Sequence, residues 1–379
     1  MRVVICGGGV IGTSIAYFLS RRAVEVVVVE RTGVACGASG KSGGFIALDG
    51  CDGSPLGPLA RRSFGLHAEL AEGHGNPWGY RRMDTLSVVA SARRPLGARG
   101  GCERPTWLAA EALVQQRLGH PATTAQIHPA RFTEGMMAAA TACGARLHMG
   151  TVTDLVRAPE GNQIVGAVVD GEEVRADAVV IAMGPWSVIA ARWLPLPMVY
   201  GIKGNSLVFR TAQPIPAEAL FVECEAADGT VDHPEVVPRP DGTTYLSGMS
   251  GEAPLPVDPA DVAPDPTAEV RLRAMAMTFA PALGEAEVVA VQACYRPIVR
   301  DGLPLIGRVP GFAGAYVATG HSVWGMLNAP ATGEAMAELI VDGAARAVDL
   351  APFDPGRLPP LERDAMRARP PLRPGAGSA

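Results

Sequence analysis

The sequence contains few lysines, few aromatic residues and no long apolar run. Lys41 and Lys203 are its only lysines, and aromatic residues make up 5% of the 379 residues. The 33 lysines and arginines are outnumbered by 38 aspartates and glutamates, so the chain lacks the broad positive field that binds nucleic acid or anionic membranes. No apolar run reaches the ~18 residues that a membrane span needs. We therefore expect a small-molecule partner, with no nucleic acid and no membrane.

Cysteine pairs at metal-binding or redox spacing are also missing. The seven cysteines are scattered and include no C-x-x-C motif, which is typical of reduced thiols in a cytoplasmic protein rather than of a disulfide framework or a zinc site. A glycine triplet interrupts the apolar run after Arg2, which argues against a signal peptide. We expect a cytoplasmic protein without a metal, and its length predicts more than one domain.

Glycines are abundant near the N-terminus, between two apolar strands. Residues 3–6 and 24–30 have the composition of buried strands, and the apolar spacing between them predicts a helix. Gly7, Gly9 and Gly12 stand at the G-x-G-x-x-G positions, where they allow a tight turn, approach of a pyrophosphate, and close packing of helix on strand. The phosphates would then lie at the N-terminus of the helix, beside Val10 and Ile11.

The second strand ends on an acidic residue at the expected distance from these glycines. Glu30 can accept hydrogen bonds from an adenosine ribose, and Arg31 follows it directly. The alternative is a glycine-rich turn in an ordinary α/β unit, with Glu30 a solvated strand end.

A second stretch of small residues, 34–47, follows this unit and reads VACGASGKSGGFIA. Its small side chains would allow the backbone to lie against a flat ring, and the alternative, from composition alone, is a flexible linker. The residues predicted here to contact a cofactor are Ala38, Ser39, Lys41, Ser42, Gly43 and Gly44.

In this order, these motifs and three later ones resemble one enzyme family. The later motifs are DAVVIAMGPWS (177–187), RPIVRDGLPLIG (296–307) and GAYVATGHSVWGMLNAPATGEAMAELI (314–340). The chain is similar to the flavin-dependent oxidoreductases that include D-amino acid oxidase, glycine oxidase and sarcosine oxidase, and it most resembles a subgroup named only as oxidoreductases. The resemblance implies FAD and predicts the cofactor better than the substrate.

The resemblance and the strand patterns predict an α/β fold with two domains. We expect a discontinuous Rossmann-like FAD-binding domain of residues 1–79, 127–197 and 287–350, and a mainly antiparallel sheet of residues 80–126 and 198–286 that binds the substrate. Residues 351–379 form a tail that we expect to be disordered from Pro352.

Local patterns within the FAD-binding domain lead to more detailed expectations. The strands GTVTDLV and DAVVIAMG are expected to return to the first sheet, with a β-meander between them, and residues 129–142 are expected to form a helix. Residues 254–266 are rich in proline and are predicted to be a surface loop.

Further cofactor contacts are implied by the resemblance. They are Val152, Gly184, Trp186, Cys294, Gly325, Met326 and Leu327. The last three residues would place backbone N–H groups near the pyrimidine edge of the flavin, where a helix N-terminus stabilises negative charge.

Arg296 and His321 are the candidate catalytic residues. Family members similar to glycine oxidase carry an arginine at the position of Arg296 that holds the substrate carboxylate, a task that suits a planar guanidinium. The alternatives are a structural ion pair for Arg296, a carboxylate site at Arg300, and a packing role for His321.

Cys294 is a candidate for a covalent bond to the flavin, as in the sarcosine oxidase group. Such a bond needs a thiolate, and Arg296 on the same strand face would lower the pKa of the thiol. The alternative is a small buried thiol.

Two departures from the family limit what can be inferred about substrate and acceptor. Val323 replaces a second arginine of the glycine oxidase group, and no lysine occupies the strand that carries one in the sarcosine oxidase group. Lys203 is open to an active-site role or a role at the domain junction.

Together these features predict an FAD-dependent amine or amino-acid oxidoreductase. A hydride would pass to the flavin from the carbon next to nitrogen of a carboxylate-bearing, primary or secondary amine, and oxygen or another acceptor would then take the electrons. The alternatives are an FAD-dependent 2-hydroxy-acid dehydrogenase and a non-catalytic flavoprotein that assists assembly or sorting.

Overall fold

The computed structural model describes residues 1–93 and 101–362. In these residues the strands are β1 Arg2–Cys6, β2 Glu25–Glu30, β3 Phe45–Ala47, β4 Arg81–Arg82, β5 Asp84–Ser91, β6 Leu113–Gly119, β7 Thr124–Gln126, β8 Arg146–Met149, β9 Val152–Arg157, β10 Ile164–Val169, β11 Glu172–Arg175, β12 Ala178–Ile181, β13 Val199–Arg210, β14 Glu218–Glu225, β15 Val231–Asp232, β16 Glu235–Pro238, β17 Thr243–Glu252, β18 Glu287–Val299, β19 Leu305–Arg308 and β20 Ala315–Thr319. The α-helices are α1 Val10–Ser20, α2 Ala38–Lys41, α3 Gly57–Gly73, α4 Pro129–Ala142, α5 Ala268–Phe279, α6 Pro281–Gly284 and α7 Gly325–Val341. Short 3-10 turns, among them Gly184–Arg192 and Pro259–Asp261, complete the described elements.

A six-stranded sheet gathers distant parts of the chain in the order β19-β20-β12-β1-β2-β8. Its pairs are parallel from β20 to β8, and β19 is antiparallel to β20. Alternate residues of β1 face opposite sides: Ile5 packs in the cluster formed with α1, α3, α4 and α7, and Cys6 in the cluster beside β9–β10. The sheet is therefore covered on both faces, as parallel sheets are.

One strand of this sheet was predicted in the wrong place. Residues 150–156, GTVTDLV, contribute β9 to a separate three-stranded sheet in the order β11-β10-β9. The strand that pairs with β2 is instead β8, whose four residues are all exposed. An exposed edge strand has no continuous apolar run, so the sequence pattern favoured its more apolar neighbour. The other expectations held, since β12 joins the sheet, β9–β11 form a meander, and α4 spans Pro129–Ala142.

The second large sheet is mainly antiparallel, as predicted, in the order β18-β13-β17-β16-β14-β5-β6, with β15 beside β14. Of these pairs β14 and β5 are parallel. One face packs on α5 through Leu246, Leu272 and Met275. The other face carries Tyr245 and Val237 and lies toward the glycine-rich loops. The fold class is thus α/β with a Rossmann-like sheet and a second, mainly antiparallel sheet, while the exact domain boundaries stay a prediction.

The expected disorder from Pro352 is wrong for residues 352–362. Phe353 is fully buried in the apolar cluster formed with α1, α3, α4 and α7. Arg357 forms an ion pair with Asp301 at 2.7 Å. The backbone N–H of Leu361 donates to Leu196 at 2.9 Å. One buried aromatic ring and one ion pair thus outweigh the high proline content of this segment. The rest of the predicted tail, 363–379, lies outside the described residues. Within the described residues, no helix has the length and apolar character that a bilayer span requires.

Candidate active site

A cavity of about 600 Å³ runs from the loops after β1 and β2 to the face of the second large sheet. Nineteen of the residues predicted from the sequence line it. They are Gly7, Gly9, Val10, Ile11, Glu30, Arg31, Ala38, Ser39, Ser42, Gly43, Gly44, Val152, Gly184, Trp186, Cys294, Arg296, His321, Gly325 and Met326.

Gly12, Lys41 and Leu327 are not among the lining residues. Gly12 packs helix on strand, since a Cβ there would lie 2.0 Å from the carbonyl oxygen of Gly7. Leu327 is 1% exposed in the core. Lys41 ends the short helix α2, and its charge acts on the nearby thiols of Cys36 and Cys294.

The first glycine loop requires glycine for backbone reasons. Gly7 has a φ of +115°, and a Cβ there would lie 2.4 Å from the carbonyl oxygen of Ala182. The backbone N–H of Val10, at the start of α1, donates to Ser39 Oγ at 2.9 Å. Ser39 therefore joins the second loop of small residues to the N-terminus of the helix, where an anion would bind.

The Glu30 carboxylate also has a structural role. Its Oε2 accepts a hydrogen bond from the N–H of Gly8 at 2.7 Å, and its Oε1 accepts from Thr32 at 2.8 Å and Gly33 at 3.2 Å. Glu30 thus fixes the glycine loop and the turn after β2 while lining the cavity.

The proline-rich loop 254–266 lines the cavity and is held there by one ion pair and two hydrogen bonds. Arg31 forms an ion pair with Asp258 at 2.8 Å, Trp186 Nε1 donates to the carbonyl of Pro256 at 2.8 Å, and the Tyr295 hydroxyl donates to Pro254 at 2.7 Å. The predicted surface loop therefore contacts both Arg31, directly after β2, and β18, the strand that carries Arg296.

Arg296 lies on β18 at the far end of the cavity. One guanidinium nitrogen donates to Ser250 Oγ at 2.7 Å, and the group lies over Gly204, where a Cβ would be 3.5 Å from it. Among the described residues Arg296 forms no ion pair, so its charge is available to a ligand. Arg300, the competing arginine, is exposed.

Cys294 lies two residues before Arg296 and lines the same cavity. The expectation of a depressed thiol pKa is wrong. Burial raises the pKa of Cys294, and this outweighs the opposite effects of the charges of Arg296 and Lys41.

His321 is buried beside the cavity, with Nε2 3.1 Å from Thr332 Oγ1. Burial lowers the pKa of His321 to about 3, so its imidazole is neutral near pH 7. This environment favours a packing role over proton transfer.

Sequence reasoning missed Glu235, Tyr245 and Asn205, which also line the cavity. Glu235 begins the apolar strand β16, where a charged residue normally indicates a solvated strand end. Only the pairing of β16 with β17 places it at the cavity.

The structure also gives the surroundings of Lys203 and Val323. Lys203 forms an ion pair with Asp265, three residues before α5, so both partners lie within the region predicted as the substrate domain. Val323 lines the cavity and is 58% exposed, so no charge replaces the missing second arginine there.

The lining residues fit an extended dinucleotide cofactor. The cavity begins at the N-terminus of α1, passes several glycines whose Cβ positions would clash with neighbouring atoms, and ends at charged side chains on a sheet. At Gly43, a Cβ would lie 3.0 Å from Tyr245 and Val237.

Comparison with known proteins gave consistent matches over most of the chain. The family model DAO, described as FAD dependent oxidoreductase, matches residues 2–339. An oxidoreductase of Schizosaccharomyces pombe is 30% identical over 382 residues, covering 93% of this chain and 97% of that protein. Glycine oxidase from Geobacillus kaustophilus is 29% identical over 377 residues, covering 93% and 95% of the two chains. A crystal structure of glycine oxidase from that organism superposes with a TM-score of 0.76 at 28% identity and covers 94% of this chain and 99% of its own.

Proposed function

Because the chain belongs to the DAO family of FAD-dependent oxidoreductases, we propose that it oxidises a carboxylate-bearing primary or secondary amine at the carbon next to nitrogen. The product would be an imine, which water hydrolyses to a carbonyl compound and the free amine or ammonia. The similar glycine oxidase acts, by its name, on an amino acid of this class.

The residues that would hold the FAD are those at the nucleotide-binding end of the cavity. The N-terminus of α1 would bind the pyrophosphate, Glu30 the ribose, and the loop from Ala38 to Gly44 the ring system. Gly325 and Met326 begin α7 and would place its N-terminus beside the ring. The bound flavin would supply a hydride acceptor.

The observation that carries the proposal is the guanidinium of Arg296 at the far end of the cavity, which donates to Ser250 and forms no ion pair within the described part of the chain. A planar guanidinium with free N–H donors binds a carboxylate in a bidentate manner. The loop 254–266 helps to exclude water from this end of the cavity. The neutral His321 would pack beside the substrate, and no step requires it as an acid.

The test is anaerobic mixing of the yellow protein with amines, N-alkyl amino acids and 2-hydroxy acids. We expect bleaching of the flavin by carboxylate-bearing amines, followed by recovery of colour with oxygen or an artificial acceptor and release of ammonia or a free amine. Bleaching by hydroxy acids alone identifies a 2-hydroxy-acid dehydrogenase. No bleaching by any member, in protein that photoreduces normally, supports a non-catalytic flavoprotein.

We further propose that Cys294 bonds covalently to the flavin: its sulfur would replace one hydrogen of the 8-methyl group, the thiol and methyl hydrogens would leave as protons, and the two electrons left on the flavin would pass to oxygen or another acceptor. Its place in the cavity supports this tether, and the raised pKa of its thiol opposes it. Protein denatured with acid and pelleted would keep its yellow colour if the tether exists, and the Cys294→Ser variant would lose it to the supernatant. Flavin released from the wild-type protein ends the tether proposal and leaves FAD binding unaffected.

A further inference from the structure

Glu235 is a carboxylate at the cavity without a partner. It lies at the start of β16, lines the cavity together with Arg296, and forms no hydrogen bond or ion pair among the described residues. Carboxylates inside proteins are normally paired, because removing a charge from water is expensive.

The sheet directs this carboxylate toward the cavity. Glu235 pairs with Ser247, Ser247 with Ser206, and Ser206 with Gln292, which forms one polar row across four neighbouring strands. Side chains alternate along a strand, so Arg296, four residues after Gln292, lies on the same face as this row. The opposite face is the apolar one that packs on α5.

The neighbouring charges do not neutralise the carboxylate of Glu235. Burial raises the pKa of Glu235, and the positive charge of Arg296 opposes this effect. The two side chains nevertheless form no ion pair. Burial also raises the pKa of Tyr245, and the negative charge of Glu235 adds to that effect. A ligand that brings a positive charge between these groups would stabilise the ionised carboxylate.

Arg239, a second cation near Tyr245, does not pair with Glu235. Arg239 is 7% exposed, lies 5.5 Å from the centre of the Tyr245 ring, and donates to the carbonyl of Ser42 at 3.0 Å. It does not line the cavity. The part of the cavity lined by Glu235 and Arg296 is therefore available to a ligand.

We propose that Glu235 binds the cationic nitrogen of the substrate, and that Glu235 and Arg296 together make the cavity selective for zwitterions. This inference rests on the proposed function for the identity of the substrate and assigns the specificity of the same site. A carboxylate ligand without a positive charge would meet Arg296 but would be repelled by Glu235. Hydroxy acids are therefore disfavoured by the site itself.

Two ligands of nearly identical shape test this selectivity on the FAD-loaded protein. Trimethylglycine carries a quaternary nitrogen where 3,3-dimethylbutanoate carries a carbon, and neither ligand can form an imine. Dissociation constants are measured for both from the perturbation of the flavin absorption spectrum. We expect the wild-type protein to bind trimethylglycine at least about tenfold more tightly, because only its nitrogen carries the positive charge that Glu235 attracts. Equal affinities, or binding of neither ligand, overturn the proposal.

The Glu235→Gln variant removes the charge with almost no change in shape. We expect weaker binding of trimethylglycine, tighter binding of 3,3-dimethylbutanoate, and loss of the preference. Glu223→Gln on the exposed side of β14 is the matched control and should keep it. Flavin content and melting temperature check folding of both variants. An unchanged preference in folded Glu235→Gln overturns the proposal.

The outcome is separable from that of the proposed function. If no amine bleaches the flavin while the preference still depends on Glu235, the oxidation proposal fails and the cation subsite stands. If amines bleach the flavin without any such preference, the subsite fails and the oxidation proposal stands.

Discussion

At one end of the cavity, the loops after β1 and β2 present glycines and backbone N–H groups, whereas at the other end the second sheet presents charged side chains. The first end comes mainly from one short stretch of chain, from Gly7 to Gly44. The second end combines Arg296 on β18 with Glu235 on β16, and β13 and β17 separate these strands in the sheet.

This difference indicates how each end can change. The end proposed to bind the nucleotide depends on glycines at several positions, so a bulky side chain at one of them would block the cofactor. The substrate end depends on the identity of a few side chains on a rigid sheet, where a substitution would alter specificity while leaving the fold intact.

The largest effect is expected from a bulky side chain at the nucleotide-binding end. Gly9→Leu should fold yet purify without yellow colour, because a Cβ there already meets Ser39 Oγ at 3.1 Å and the longer side chain would extend into the cavity. The ratio of flavin to protein absorbance measures occupancy. Gly73→Leu, where a Cβ meets nothing within 4 Å, is the control. Full occupancy in Gly9→Leu means that the FAD site is placed wrongly.

At the substrate end, loss of the guanidinium should spare the colour and lower turnover. Removing one partner of a buried charge pair costs about 2–5 kcal/mol. We therefore expect Arg296→Met to lower kcat/KM some thirtyfold to several thousandfold at roughly 1.4 kcal/mol per factor of ten. Arg296→Lys should recover only part, and Arg300→Met should behave as wild type. Arg296→Met within threefold of wild type would remove carboxylate recognition from the proposed function.

An intermediate effect concerns pH and the first residues of α7. His67 Nε2 lies 3.0 Å from the carbonyl oxygen of Met326, and burial lowers the pKa of His67 to about 4. In the unfolded chain the imidazole of His67 gains a proton near pH 6.5, whereas in the folded protein it does so only near pH 4. The free energy of unfolding should therefore fall as the pH decreases through this window. The loss from His67 is roughly 3 kcal/mol.

Urea unfolding at pH 7.5 and pH 4.5 measures this dependence. The carboxylates and the other histidines contribute to the pH dependence of the free energy of unfolding in wild type and in His67→Gln alike. The difference between the two proteins therefore isolates the contribution of His67. Between the two pH values, His67→Gln should lose less stability than wild type does. His148→Gln, at an exposed position on β8, should lose as much as wild type. Equal losses in wild type and His67→Gln would show that His67 is not buried in its neutral form.

The smallest effect is expected where the two ends are joined by the loop 254–266. Arg31→Ala removes the ion pair with Asp258, and a partly exposed pair contributes at most about 1 kcal/mol. Flavin dissociation, followed by the rise in flavin fluorescence, should accelerate by no more than ~5-fold. Asp258→Asn should act similarly and not add to Arg31→Ala. Arg22→Ala, which removes a surface pair with Asp342, serves as the control.

The sequence by itself determined the local structure at the end of the cavity that we propose binds the nucleotide. The strand, the glycine loop, the helix and Glu30 follow each other within thirty residues, and their signals are local: apolar runs, positions that exclude a Cβ, and a helix N-terminus. The same locality explains why α4 was predicted with its correct bounds.

Tertiary structure alone decided the rest. Glu235 and Arg296 line one cavity because β16, β17, β13 and β18 lie side by side, and strand order is not encoded in any single strand. Burial of Cys294, not the charge beside it in the sequence, determines the direction of its thiol pKa. The exposed edge strand β8 and the packed Phe353 also depend on neighbours that are distant in the chain. The physical reason is that pairing and burial are properties of surfaces brought together by folding, whereas composition and spacing describe one segment at a time.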